Sequence, residues 1–142
     1  MAAHPHIVAL PALRLACRPL DGDGQDEVFV MAEAAAMLAY GREHGRVSAP
    51  WLVLDGDRRE VAVPVPAGIA LEHGMHERSF LSGRWAALDA EMATVAGIQA
   101  AASTLRAKAP EPLVGSDAPI YARITEDGAT VHIGLTEEYR RG

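Results

Sequence analysis

A single cysteine, Cys17, supplies all the thiol chemistry in the 142 residues. No internal disulfide can form, and a thiolate metal cage would be short of ligands. This favours a reducing compartment, and the cytoplasm is the expected location. Aromatic residues are also scarce: they make up 5% of a chain that is 49% hydrophobic, and alanine takes much of the apolar share. The few large side chains must therefore carry the core or a pocket. Positive charge is in deficit, with 13 Lys and Arg against 19 Asp and Glu and a net charge of −6. Nucleic-acid affinity comes from Lys and Arg displacing counterions, so no direct nucleic-acid partner is expected. No run approaches the ~20 apolar residues of a membrane span. The Ala-rich start lacks a basic leader and is interrupted by Pro5 and Pro11, so neither secretion nor membrane contact is expected. The length suits one domain over residues 1–142.

Within that domain the elements repeat. Ile7 to Leu20 alternates Leu13, Leu15 and Cys17 against Arg14, Ala16 and Arg18, the period of a half-buried strand. Asp21-Gly-Asp-Gly makes a turn, and Glu27 to Glu43 is a run of helix formers stopped at Gly45. Trp51-Leu-Val-Leu and Glu60-Val-Ala-Val-Pro-Val flank Asp55-Gly-Asp, a hairpin signal. The order then recurs. Arg78 to Leu88, broken only by Ser82-Gly83, reads as an extended or bulged strand, and Thr94 caps a helix over Val95 to Lys108. Ile120-Tyr-Ala-Arg-Ile and Val131-His-Ile-Gly-Leu form a closing hairpin around Glu126-Asp-Gly. Two β-α-β-β units, about 5–68 and 75–138, predict an α+β fold: one mainly antiparallel sheet with both helices on one face.

Four stretches then resemble the GyrI-like small-molecule-binding domain, which occurs alone and as the effector domain of multidrug-responsive transcription regulators. Leu81-Ser-Gly-Arg-Trp-Ala-Ala-Leu is similar to the family's Leu-Pro-x-Gly-x-Tyr-Ala strand, with Trp85 in the aromatic slot. Pro50 to Asp55 resembles its Pro-x-x-x-Tyr-x-Asp segment without the tyrosine. Ala62-Val-Pro-Val is similar to the strand closing the first repeat, and Ile120-Tyr-Ala-Arg with Val131-His-Ile-Gly-Leu to the final hairpin. The resemblance implies a central cleft for bulky hydrophobic, often aromatic and cationic, compounds. It implies sensing or sequestration, with a hydrolase of reactive electrophilic natural products as the alternative, and a protein partner or homodimer in some members. Members of the family it resembles often place a Glu two residues before the final-strand tyrosine to meet cations, and that position here is Pro119. Cation binding should therefore be weaker unless another acid substitutes. With the domain expected to fill residues 1–142, no helix-turn-helix segment is expected in front of it, and regulation would need another protein.

Candidate ligand residues come from spacing and alternation. Phe29, Glu33, Met37, Tyr40 and His44 share one helical stripe, while Val28, Met31, Ala35, Leu38 and Ala39 form an adjacent face able to dock the helix. The stripe lines a groove where Glu33 meets a cation that stacks on Phe29 or Tyr40, or else Phe29, Met37 and Tyr40 are core and Glu33 sits at its wet edge. Trp85 and Tyr121 alternate with Ala86 and Ala122, so they leave the core face and can line a pocket, whereas Trp51 reads more as core. Were the domain a hydrolase, Glu33 would be its acid or base and Tyr121 would polarise the ligand. No cofactor is expected. The six histidines lack metal-ligand spacing, with His73 and His76 in a loop and His132 solvated or locally bonded. Asp55, Asp57 and Glu60 read as an exposed hairpin, not a calcium loop.

Overall fold

A computed structural model of the chain describes residues 4–20, 27–45, 47, 49–80, 83–115 and 118–136. The Asp21-Gly-Asp-Gly turn and Ser82 lie outside them. The elements run β1 (His6–Leu10), β2 (Leu13–Pro19), α1 (Glu27–His44), β3 (Trp51–Asp55), β4 (Arg58–Pro64), β5 (His76–Phe80), β6 (Gly83–Ala90), α2 (Val95–Lys108), β7 (Ile120–Thr125) and β8 (Gly128–Gly134). Among the described residues no helix is long and apolar enough to cross a membrane.

The fold is α+β, an eight-stranded antiparallel sheet in the order β1-β6-β8-β7-β3-β4-β2-β5, curled into a half-barrel. Its curl follows from one long ladder. The segment expected to be one strand from Ile7 to Leu20 is two strands, interrupted at Pro11, which cannot donate a ladder hydrogen bond. β1 pairs with β6 and β2 with β5 in a single continuing register, His6 opposite Ala87 and Cys17 opposite His76. That ladder begins at one end of the strand order and finishes at the other, so the sheet must bend to accommodate it. β3 pairs with β7 at the middle and joins the two halves.

Both helices pack on one face of the sheet, α1 against β4 and α2 against β6 and β8. The expected cap is present: the Thr94 hydroxyl accepts from the Gly97 N–H at 3.0 Å. Its C-terminal counterpart is the Ala109 N–H, which donates to the Leu105 carbonyl before Pro110 ends the path. α1 docks through Val30, Ala34, Met37 and Tyr40, whereas Met31, Ala35 and Ala39, expected to dock it, are exposed. Gly41 explains the choice of face: a Cβ there would meet the Val63 side chain at 3.0 Å, so the helix comes closest to β4 where it carries no side chain.

Strand alternation divides the remaining core. Ala16, Leu52, Val61, Val63, Ala86 and Ala122 face the helices, while Leu15, Cys17, Trp51, Val53, Ala62, Trp85 and Tyr121 form a separate layer on the helix-free face.

Candidate functional site

The helix-free face carries a groove of about 610 Å³. Val8, Leu10, Leu13, Pro64 and Trp51 supply its apolar lining, and His6, Asp89, Arg123, Thr130 and His132 its polar lining. Cross-strand register sets most of the polar side: Trp51 stands opposite Arg123, Arg123 opposite Thr130, and Thr130 opposite Asp89, one row across β3, β7, β8 and β6. The Thr130 hydroxyl donates to Asp89 Oδ1 at 3.0 Å. In the neighbouring row Tyr121 faces His132, whose ring lies 5.4 Å from that of Trp51 at 33°.

His132 is 4% exposed, not solvated, and donates from Nδ1 to the Tyr121 carbonyl at 3.2 Å. A carbonyl can only accept, so the bond fixes the tautomer and leaves Nε2 an acceptor. Burial lowers its pKa from 6.5 to about 4, and the nearby Arg123 charge adds to the shift, against the opposing Tyr121 carbonyl. A depressed folded pKa means the stabilisation is complete above 6.5 and is lost as pH falls towards 4. That contribution is worth roughly 3 kcal/mol. Urea unfolding at pH 7 and pH 4.5 is expected to show this loss in the native chain and a much flatter dependence in His132→Gln. Equal slopes would contradict it.

Deeper along the same face lies a polar cluster. Glu60, expected on an exposed hairpin, is fully buried. It accepts from Arg78 Nε at 2.7 Å and bonds to His76 Nε2 at 2.8 Å, while Arg78 Nη2 donates to Asp55 Oδ2 at 2.8 Å. His76 is the first residue of β5, not part of a loop. Burial disfavours the Glu60 carboxylate, but the Arg78 and His76 hydrogen bonds and charges outweigh it and hold the pKa below the ordinary range. Burial pushes the Cys17 thiol up to about 12, and the Glu60 charge adds to the rise. Burial also raises the Tyr121 hydroxyl, against the charge and hydrogen bond of Arg78.

Cys17, Glu60 and His76 bring one donor atom each to within 4.8 Å of one another, a donor set that suits a zinc-like cation. Every member is otherwise engaged. A cation would have to take the His76–Glu60 bond and the proton of a thiol at about 12, beside the Arg78 guanidinium. The arrangement is that of a buried ion-pair network.

The six sequence-derived candidates divide between the two faces. Trp85 and Tyr121 meet on the helix-free face, rings 6.0 Å apart and perpendicular, in the same layer as Trp51. Neither is among the lining residues of the groove, whereas Trp51 is. Met37 and Tyr40 are buried in the helix-side core, Glu33 is half-buried on α1, and Phe29 is 40% exposed. His132 and Arg123 escaped notice as site residues, yet both share strand parity with Tyr121, and that parity was the signal that could have found them.

No protein-family model matches the sequence, and no curated protein does. Among solved structures, SAV2435 bound to tetraphenylphosphonium is similar with a TM-score of 0.59 at 11% identity, covering 95% of each chain. At that identity the likeness is one of fold. Looser matches are a Staphylococcus aureus MU50 protein described as a candidate bacterial transcription regulation protein (TM-score 0.48, 9% identity, 92% of this chain and 95% of that one) and an integron cassette protein from the mobile metagenome of Vibrio cholerae (TM-score 0.47, 10% identity, 91% and 92%).

Proposed function

We propose that the chain is a GyrI-like small-molecule-binding domain, built from two pseudo-repeats at about 5–68 and 75–138, that senses or sequesters hydrophobic aromatic compounds on the helix-free face of its half-barrel. The groove carries this reading. Its volume of about 610 Å³ lies within the roughly 300–1,000 Å³ of small-molecule pockets, and it combines apolar lining with a few polar groups. In this reading the ligand ring packs on Trp51, while Trp85 and Tyr121 support the Trp51 layer from within. Further support comes from the fold likeness to SAV2435, a protein seen with tetraphenylphosphonium bound. The hydrolase alternative is not favoured: Cys17 is buried with its thiol raised to about 12, and Glu33 sits on α1, on the helix-covered face, whereas Tyr121 lies on the opposite one.

The test is fluorescence titration of a Trp85→Phe variant, in which Trp51 is the sole tryptophan, with 2-naphthamide. Saturable quenching that is lost when His132→Ala opens the groove beside Trp51 is expected. Glu33→Gln should leave the titration unchanged and should leave the ratio of cationic to neutral ligand affinity unchanged as well. Quenching that does not saturate would count against the groove.

A further inference from the structure

We infer, building on the ligand-binding reading above, that the groove selects planar aromatic carboxylates over organic cations, the ring packing on Trp51 and the carboxylate pairing with Arg123. The expected cation site is absent in three places at once. Pro119 carries no charge at the position where the family resemblance led to an acid being expected. Glu33 belongs to the helix-covered side of the sheet. Glu60, the buried acid of the helix-free face, already holds Arg78 and His76, so its field is largely cancelled before a ligand arrives.

What remains in the groove does not share the acidity of the chain, since its one arginine balances its one aspartate and His132 is neutral. The protein carries a net charge of −6, yet its groove is lined by one arginine, two histidines and one aspartate. The aspartate, Asp89, already receives the Thr130 hydroxyl at 3.0 Å. Arg123 is exposed and, among the described residues, forms no salt bridge. It is also the direct cross-strand partner of Trp51, so guanidinium and indole rise side by side from the same wall. A guanidinium presents paired N–H donors that match both oxygens of a carboxylate, and an aromatic acid offers that carboxylate in the plane of its ring. Asp89 lies two strands away from Arg123, about 10 Å at ordinary strand spacing, far enough for a carboxylate at Arg123 to stand clear of it.

Calorimetric titration of the full chain at pH 7.5 in low salt, with three probes that share one ring system, tests this: 2-naphthoate, 2-naphthamide and (naphthalen-2-ylmethyl)ammonium. The naphthoate should bind about fivefold more tightly than the amide, as suits a partly exposed ion pair, and the ammonium more weakly than the amide. Arg123→Gln should erase the difference between naphthoate and the amide, and Arg123→Lys should restore part of it. Circular dichroism checks that both variants fold, as expected for an exposed position. Equal affinities for all three probes, tighter binding of the ammonium, or a naphthoate advantage that survives Arg123→Gln would each overturn the selection and leave the groove reading standing. Failure of all three probes to bind the native chain would overturn the groove reading and the selection with it.

Discussion

Arg78→Met is expected to destabilise the domain by about 3 kcal/mol, because it takes the main ion-pair partner from a fully buried carboxylate. Glu60 is fully buried, and its two oxygens are shared between Arg78 and His76, with the exposed Arg58 at 3.4 Å. Without the guanidinium, only His76 and the exposed Arg58 answer the carboxylate against its desolvation cost, and Oε1 loses its donor. The reverse truncation should cost less. In Glu60→Gln, Arg78 keeps Asp55 at 2.8 Å and is itself 15% exposed, so its charge is still answered. The double variant Glu60→Gln, Arg78→Met should then be more stable than Arg78→Met alone, giving a coupling energy of about 2 kcal/mol in a double-mutant cycle. Urea denaturation of the four proteins at pH 7 measures it. The Glu60 pKa is depressed in the fold, so the pair's contribution is complete above the ordinary Glu range and fades as pH falls below it. The penalty of Arg78→Met should shrink in parallel. Additive effects, or a loss under 1 kcal/mol for Arg78→Met, would mean that the network contributes little.

That network also marks the limit of what sequence alone conveyed. Helix limits, the Thr94 cap and the two hairpins were legible because each depends on local chemistry: capping residues, hairpin glycines, period-two alternation. The opposition of Trp85 and Tyr121 to Ala86 and Ala122 followed from the same alternation. Glu60 did not, because its burial depends on Arg78 reaching it from β5, eighteen positions away in sequence and brought near only by β2 lying between β4 and β5. The docking face of α1 was not legible for a related reason. Both candidate faces of α1 are apolar, and the decision between them rests on the bare backbone of Gly41 against Val63, a tertiary contact. The long ladder between β1-β2 and β5-β6, which curls the sheet and so makes the groove, likewise joins segments far apart in the chain.

The two tryptophans should separate stability from binding, in the opposite sense to the sequence expectation. Trp85 is 5% exposed, stands edge-on to Tyr121 and lies over Gly134, where an added Cβ would come within 3.3 Å of the indole. It fills a space closed on all these sides, so Trp85→Ala should cost about 3 to 5 kcal/mol through lost burial and an empty cavity. Trp51 is equally buried at 4% but borders the groove. Truncating it enlarges an opening that water already reaches, which removes the cavity part of the penalty and leaves only the transfer part, about 2 to 3 kcal/mol for a side chain of this size. Its effect on binding should be the larger one, since the ring on which an aromatic ligand packs would be gone, and 2-naphthamide affinity should fall at least tenfold. Trp85→Phe keeps most of the buried surface and should leave that affinity within about twofold, since Trp85 does not line the groove. Denaturant unfolding and calorimetry on the same four proteins give both readouts. A Trp85→Ala chain as stable as the native one, or a Trp51→Ala chain that binds as tightly, would return Trp85 to the ligand wall and Trp51 to the scaffold, and the groove would then not be where ligands sit.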